Sequence, residues 1–377
     1  MTLFRWLLAA ACVAAVGAVP PKPTPEEGLR PVAVDRVLSI GGSSGPQYLR
    51  TDAKGRAYLL NAGDLAVFRI VNGSPARKPE VTFERPQDPI GFVADAAVCA
   101  AGDAWVLLSR SPRPIRFFVG SKEKPLPQPE WMVTGVACLG GQPAVTVTPA
   151  LRSAGTPGRV PDRAPKLVLQ WNGSEWVPFL DRIIDYSEMP IPAREGFHKS
   201  KAASEVTVAY SREGAVWVAQ TAFYHVRRVT ASGRVATVLE LGEPAVELRD
   251  LTAEERREFE EAVKPSVGGP GASSPRPAPV PRRTLLGAAE GPDGSLYLLV
   301  SPKGGDGKLA IDRYSPVSGK VERVALEAAA RNQVRSFVAA QDGLYWAGAT
   351  MHNGAWWLPW EALDAASWRL VPEVRIR

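Results

Sequence analysis

Three histidines are the only imidazoles in the chain, and an imidazole is the natural general base or metal ligand near neutral pH. His198, His225 and His352 are far apart in sequence and form no HxxxH-type pair, so only the tertiary fold could bring them together. Asn353 follows His352 directly. Arg110, Arg113 and Arg116 alternate with Pro112 and Pro114, an arrangement that either meets an anionic ligand or stays solvated. The candidate binding residues are thus His198, His225, His352, Asn353, Arg110 and Arg113. No residue is identified as catalytic, because there is no Gly-x-Ser-x-Gly elbow and no nucleophile beside a base. Asp306-Gly307 follows two glycines but lacks the carboxylates of a calcium loop and the order of a phosphate-binding loop, so it reads as a surface turn. Trp356, Trp357 and Trp360, with Trp368 nearby, offer faces on which sugars or cations stack. Neighbours on a strand point to opposite sides, so Trp356 and Trp357 cannot share one surface, and packing between sheets accounts for most of the group.

The elements that must position these residues come from a repeat. A glycine turn followed three residues later by an aromatic recurs at Gly55/Tyr58, Gly102/Trp105, Gly214/Trp217, Gly294/Tyr297 and Gly343/Trp346, with a degenerate copy at Gly141/Ala144. An irregular strand-rich repeat is the mark of a closed propeller-type array. Alternation predicts a lone strand at 32–40, then groups of four. These are 47–51, 56–61, 66–71 and 80–84; 92–100, 104–109, 115–119 and 130–133; and 133–139, 144–148, 166–171 and 176–180. The rest are 205–210, 215–221, 224–230 and 234–241; 285–290, 295–301, 308–314 and 320–326; and 335–340, 344–350, 354–359 and 367–376. The 35 prolines and 34 glycines suit so many turns. The fold class is therefore all-β: a six-bladed β-propeller of four-stranded antiparallel blades. It is closed by the N-terminal strand, which covers an edge of the last blade. A seventh blade would require extra strands hidden in the third group.

Short turns such as Asn72-Gly73, Asn172-Gly173, Ser232-Gly233 and Ser318-Gly319 join third to fourth strands. Lys54-Gly55, Gly102-Asp103, Asp293-Gly294 and Asp342-Gly343 join first to second. Three insertions, 149–165, 181–204 and 242–284, all fall in the other class of connection and so share one face. The last holds the one expected helix, 252–263, with Thr252 and Glu255 as a capping box. Long loops on a rigid scaffold are where ligands bind, and all three histidines map to that face.

Residues 1–18 read as a signal peptide: Arg5, an apolar run to Val16, and a small-residue cleavage site at Ala18. Residues 19–31 form an extended leader, and 32–377 a single propeller domain. The apolar run is too short to span a bilayer, and no later stretch looks transmembrane. The mature chain is expected to be periplasmic or secreted. Lipoprotein anchoring at Cys12, which Ala9-Ala10-Ala11 precedes, is the less favoured alternative. Removing Arg5 with the leader lowers the formal charge from +6 to +5, too mild and scattered to imply nucleic acid. Cys99 and Cys138 then remain, each six residues before the aromatic-class position of its repeat, as either a disulfide or two buried thiols.

The run Asp293-Gly294-Ser295-Leu296-Tyr297, with Asp342-Gly343-Leu344-Tyr345, resembles the repeat of six-bladed propellers of the NHL, TolB-like and SMP-30/gluconolactonase group. That resemblance implies a central channel, and for the enzymes of the group a divalent metal held by acidic and Asn residues near the axis. Glu205, Asp88 and Asp95 lie near first strands, but none sits in a motif of that group, and no metal ligand is assigned. Two functions stay open. One is a non-catalytic monomeric module that binds a protein or glycan and needs no cofactor. The other is a metal-dependent hydrolase or lactonase, using an ion such as calcium at the channel mouth.

Overall fold

The repeats fold as antiparallel meanders because residues with positive φ sit in the described tight turns. Gly55 (φ 73°), Gly102 (92°) and Gly294 (76°) follow first strands, and Asn72 (47°), Gly73 (73°), Gly120 (59°), Gly173 (104°) and Gly319 (60°) follow third strands. The protein's structure, a computed structural model, describes residues 31–37, 47–85, 90, 92–99, 102–109, 113–148, 167–180, 206–210, 215–220, 224–230, 234–241, 248–249, 253, 256–257, 280–281, 285–301, 308–329, 334–348 and 355–377.

After β1 (Asp35–Val37), blade one is β2 (Gln47–Thr51), β3 (Ala57–Asn61), β4 (Ala66–Val71), and the short β5 (Ser74–Pro75) and β6 (Val81–Thr82). Blade two is β7 (Val93–Cys99), β8 (Ala104–Ser109), β9 (Ile115–Val119) and β10 (Lys122–Lys124). Blade three is β11 (Met132–Leu139), β12 (Gln142–Thr148), β13 (Leu167–Trp171) and β14 (Trp176–Leu180). Blade four is β15 (Val206–Tyr210), β16 (Val216–Gln220), β17 (His225–Val229) and β18 (Val235–Leu241). A two-stranded hairpin, β19 (Leu248–Arg249) and β20 (Val280–Pro281), precedes blade five. Blade five is β21 (Leu285–Glu290), β22 (Leu296–Val300), β23 (Lys308–Ser315) and β24 (Lys320–Ala329). Blade six is β25 (Val334–Ala339), β26 (Gly343–Gly348) and β27 (Ala355–Pro359), followed by α1 (Trp360–Asp364), β28 (Arg369–Leu370) and β29 (Val374–Ile376). This is a six-bladed β-propeller, as the repeat predicts. The 1–2 and 3–4 turns form one face, the turn face. Connections between strands two and three, and between blades, leave from the other, the loop face.

The N-terminal strand does join the last blade: β1 pairs with β27 through Asp35–Trp357, Arg36–Trp356 and Val37–Ala355. Three fourth strands differ from expectation. In blade six β1 takes the outer position, so the segment at 367–376 has no edge left there. It runs on instead, placing β28 against β24 of blade five and β29 against β18 of blade four. In blade two the outer strand is Lys122–Lys124 rather than 130–133, because Gly120 turns the chain at once. The proline-rich stretch after it cannot donate to the ladder, and the side-chain amide of Gln128 serves in place of a backbone, accepting from Ile115 N (2.9 Å) and donating to Ile115 O (3.0 Å). In blade one the outer strand is split into β5 and β6, both on β4. The expected helix at 252–263 lies almost wholly outside the described residues, where Ala253, Arg256 and Arg257 are helical. The helix α1 was not foreseen. No described helix is long and apolar enough to cross a membrane.

The repeat aromatics form the core between blades. Tyr58, Trp105, Trp217, Tyr297 and Trp346 are all buried. A ring of this kind removes roughly 150–250 Å² from water, an upper figure of roughly 4–6 kcal/mol at 25 cal/mol/Å². Tyr58 meets Trp105 edge-on across blades one and two, with centroids 5.8 Å apart. The four C-terminal tryptophans pack as well. Trp356 stacks on Trp346, Trp357 on Tyr345 and Trp360 against Tyr297, while Trp368 lies under the Arg313 guanidinium.

Candidate functional site

The innermost strands, β2, β7, β11, β15, β21 and β25, enclose the axis, and each begins at the loop face. Near that end the pairing slips in four of them, at Val93/Asp95, Val133/Gly135, Leu285/Gly287 and Val334/Ser336. Such bulges bend a strand and re-aim its side chains. Here they open the inner wall to one arginine. Arg50 of β2 reaches from blade one in both directions. Its Nη1 donates to Ser336 Oγ of blade six (2.8 Å), its Nη2 pairs with the Asp95 carboxylate of blade two, and its Nε donates to the Ala96 carbonyl. Asp95 Oδ1 also accepts from Ala96 N (2.8 Å), and Oδ2 from Val136 N of blade three (3.1 Å). Four blades therefore meet in one charge-assisted network. Both carboxylate oxygens of Asp95 are occupied by protein donors, which makes this carboxylate a clasp rather than a ready metal ligand.

Phe92 and Met132, at the loop-face starts of the inner strands of adjacent blades, are 49% and 40% exposed. Phe92 stands three residues before Asp95, and Met132 four residues before Val136, whose N–H is blade three's donor to the throat.

The candidate residues from the sequence fare as follows. His198, His352, Asn353 and Arg110 lie outside the described residues, as do Asp88 and Glu205. Arg113 is exposed, and its carbonyl accepts from Ser109 Oγ (3.3 Å). His225 opens β17, where its Nδ1 stands 3.7 Å from Glu240 Oε2, and Arg377 pairs with the same carboxylate. Arg113 and His225 belong to blades two and four, both at third strands away from the axis, so they do not form one site. Arg116 is buried, and its Nη1 donates to both carboxylate oxygens of Glu123 (3.0 and 3.2 Å). Cys99 and Cys138 lie at the turn-face ends of neighbouring inner strands and are joined as a disulfide, their Cα atoms 5.2 Å apart, a separation such a bond spans. Among the described residues no three His, Cys, Asp or Glu side chains converge as a metal site requires.

Arg50, Phe92 and Met132 were missed, and for Arg50 the signal was available. The inner-strand residue paired with the repeat aromatic position is Val98, Ala137, Ala209, Ala289 or Phe337 in the other five blades. In blade one it is Arg50, opposite Tyr58.

On the turn face the repeat's aspartates serve structure. Asp52 accepts from Lys54 N, Arg56 N and Tyr58 Oη (3.2 Å), Asp293 from Ser295 N and Tyr297 Oη (3.3 Å), and Asp342 from Tyr345 Oη (2.7 Å) and from Asn72 N of blade one (2.7 Å). Burial first, and the neighbouring carboxylates after it, push the phenols of Tyr58, Tyr297 and Tyr345 above their ordinary range. The phenol of Tyr224 is also raised, by burial and then by Asp312, which Arg323 holds bidentately (2.6 and 2.8 Å). These groups stay neutral at physiological pH and cannot act as bases.

No protein-family model and no curated protein matches the sequence. Among solved structures the chain is similar to streptogramin B lyase, with TM-score 0.44 and 11% identity over 90% of this chain and 97% of that one. It is also similar to regucalcin, a calcium-binding protein from Agrobacterium tumefaciens str. C58, with TM-score 0.40 and 11% identity over 87% and 94% of the two chains. A gluconolactonase from Xanthomonas campestris aligns with TM-score 0.39 and 14% identity over 90% and 99%. The likeness is one of fold alone, and it is the strand pairing itself that makes the chain a six-bladed β-propeller.

Proposed function

We propose that this protein is an extracytoplasmic binding propeller that holds a partner protein or a glycan at its loop face. The observation that carries the reading is the mouth, where Phe92 and Met132 expose apolar surface beside the polar Arg50–Asp95 throat. Exposed apolar side chains grouped at the opening of a rigid scaffold mark a contact surface. Chain connectivity supports the same side. Segments 149–165, 181–204 and 242–284 follow the second strand of blade three and the outer strands of blades three and four, whose ends lie toward the loop face. The cysteine pair supports an oxidising compartment, in keeping with a cleaved leader at 1–18.

The test is capture from a cell-envelope extract and on a glycan array, comparing the wild-type protein with the Phe92→Asp/Met132→Asp double variant. A protein or glycan retained by the wild type should be lost by the variant, with circular dichroism and Tm unchanged. Equal retention by both would overturn the reading. So would stoichiometric calcium or zinc in the purified protein together with a chelator-induced drop in Tm, which would favour a metal-dependent hydrolase.

A further inference from the structure

The closing segment, residues 365–377, belongs to no single blade. It leaves α1 in blade six, crosses blade five as β28 and ends on blade four as β29. Its register on blade four places Val374 opposite Leu241, Arg375 opposite Glu240 and Ile376 opposite Leu239. Leu241 is the last residue of β18, the point from which the chain departs into 242–284. The far end of that excursion is pinned by the β19–β20 ladder, Leu248–Pro281 and Arg249–Val280. The segment therefore grips the root of the longest insertion.

We propose that residues 365–377 are a releasable strap that fixes this root, so that releasing the strap loosens it without opening the ring. As a control on the loop face, the proposal rests on the reading of that face as the binding side. The hold on blade four is local. Val374 enters the cluster containing Leu239, Leu285 and Val371, whereas Arg375 and Ile376 face solvent. Arg377 exchanges backbone hydrogen bonds with Val238 (2.9 Å each) and pairs with Glu240, although its side chain is 67% exposed. A second anchor lies beyond the Pro372–Glu373 turn. There Val371 N donates to Val321 O (2.9 Å), and Trp368, stacked beneath Arg313, donates to Leu363 O (2.9 Å).

The ring is closed elsewhere, by β1 on β27, by Arg50 on Ser336, and by Gln341 N and Nε2 on the Gly55 and Lys54 carbonyls (2.8 Å each). None of these contacts involves the strap. Without β29, the outer edge of β18 would stand unpaired beside the excursion.

Hydrogen–deuterium exchange of the full chain tests this without any ligand, so its outcome is independent of the binding assay. In Val374→Asp, which puts a charge into the cluster, amides of 235–241 and 248–249 should exchange roughly tenfold faster or more, as expected for a local opening. Those of β2, β7 and β25 should be unchanged. Ile376→Asp, at an exposed position, should alter little. Unchanged exchange at 235–241, or acceleration spread evenly over all six blades, overturns the proposal. Should Val374→Asp fail to fold, Val374→Ala gives the same reading at smaller amplitude, and an even spread there overturns it equally.

Discussion

Removing the Arg50 side chain measures how far the ring depends on its central clasp. Arg50→Ala deletes the ion pair with Asp95 and the donors to Ser336 and Ala96, severing direct links from blade one to blades two and six. A hydrogen bond to a charged group contributes about 1.5–3 kcal/mol, and breaking a fully buried pair costs about 3–5 kcal/mol. The side chains of Arg50 and Asp95 are 17% and 27% exposed, so solvent screens part of the interaction, and about 2–3 kcal/mol is expected. Unfolding entropy near 2.1 cal/mol/K per residue gives about 0.8 kcal/mol/K for 377 residues, so Tm should fall by about 2.5–4 °C. The decisive assay is a double-mutant cycle with Asp95→Ala, followed by urea unfolding and calorimetry. Linked residues should give a double variant little worse than Arg50→Ala, with a coupling of about 1–2 kcal/mol. A coupling below about 0.5 kcal/mol would refute the clasp and leave Arg50 as an incidental surface contact.

Other consequences are equally accessible. The Cys99–Cys138 link closes a loop with a sequence separation of 39; the chain-entropy relation then gives about 4 kcal/mol, so Cys99→Ala/Cys138→Ala should lower the urea midpoint accordingly. The same midpoint with and without reductant in the wild type checks that the link is present. Tyr58, Tyr224, Tyr297 and Tyr345 have phenols raised by the fold, so their contribution is complete below about pH 10 and is lost as pH rises toward the folded values. Tm should be flat from neutral pH to about pH 10 and then fall with the tyrosinate absorbance, and a flat Tm through about pH 12 would contradict the burial argument. Gly73 has φ 73°, and a Cβ there would stand 2.5 Å from the Trp357 ring, so Gly73→Ala should destabilise by roughly 2–4 kcal/mol. A smaller calorimetric effect would show that Trp357 can move aside.

The repeat made most of the architecture legible. A glycine turn with an aromatic three residues on is a local rule of backbone conformation and packing, and it located the inner strands, the turn face and the closing role of the N-terminal strand. The cysteine pair was visible for the same reason, since equivalent positions in consecutive repeats become neighbours around a hub. Outer strands were harder to read. Those of blades one, two and six are only two or three residues long, so their alternation is weak, and the Lys122–Lys124 strand carries no apolar signal at all.

The sequence by itself determined the local geometry: where the chain turns, which side of each strand is apolar, and how many sheets result. Only the tertiary structure decided which edges those sheets share and which side chains reach the axis. Whether 367–376 would lie on blade six, five or four depended on β1 already occupying the sixth blade's edge. Competition for one edge is a property of the closed ring, not of either segment. Likewise the exchange of an apolar side chain for Arg50 is a single odd residue in the repeat. It becomes a clasp only when bulged strands from three other blades bring Ser336, Asp95 and Val136 N together around it.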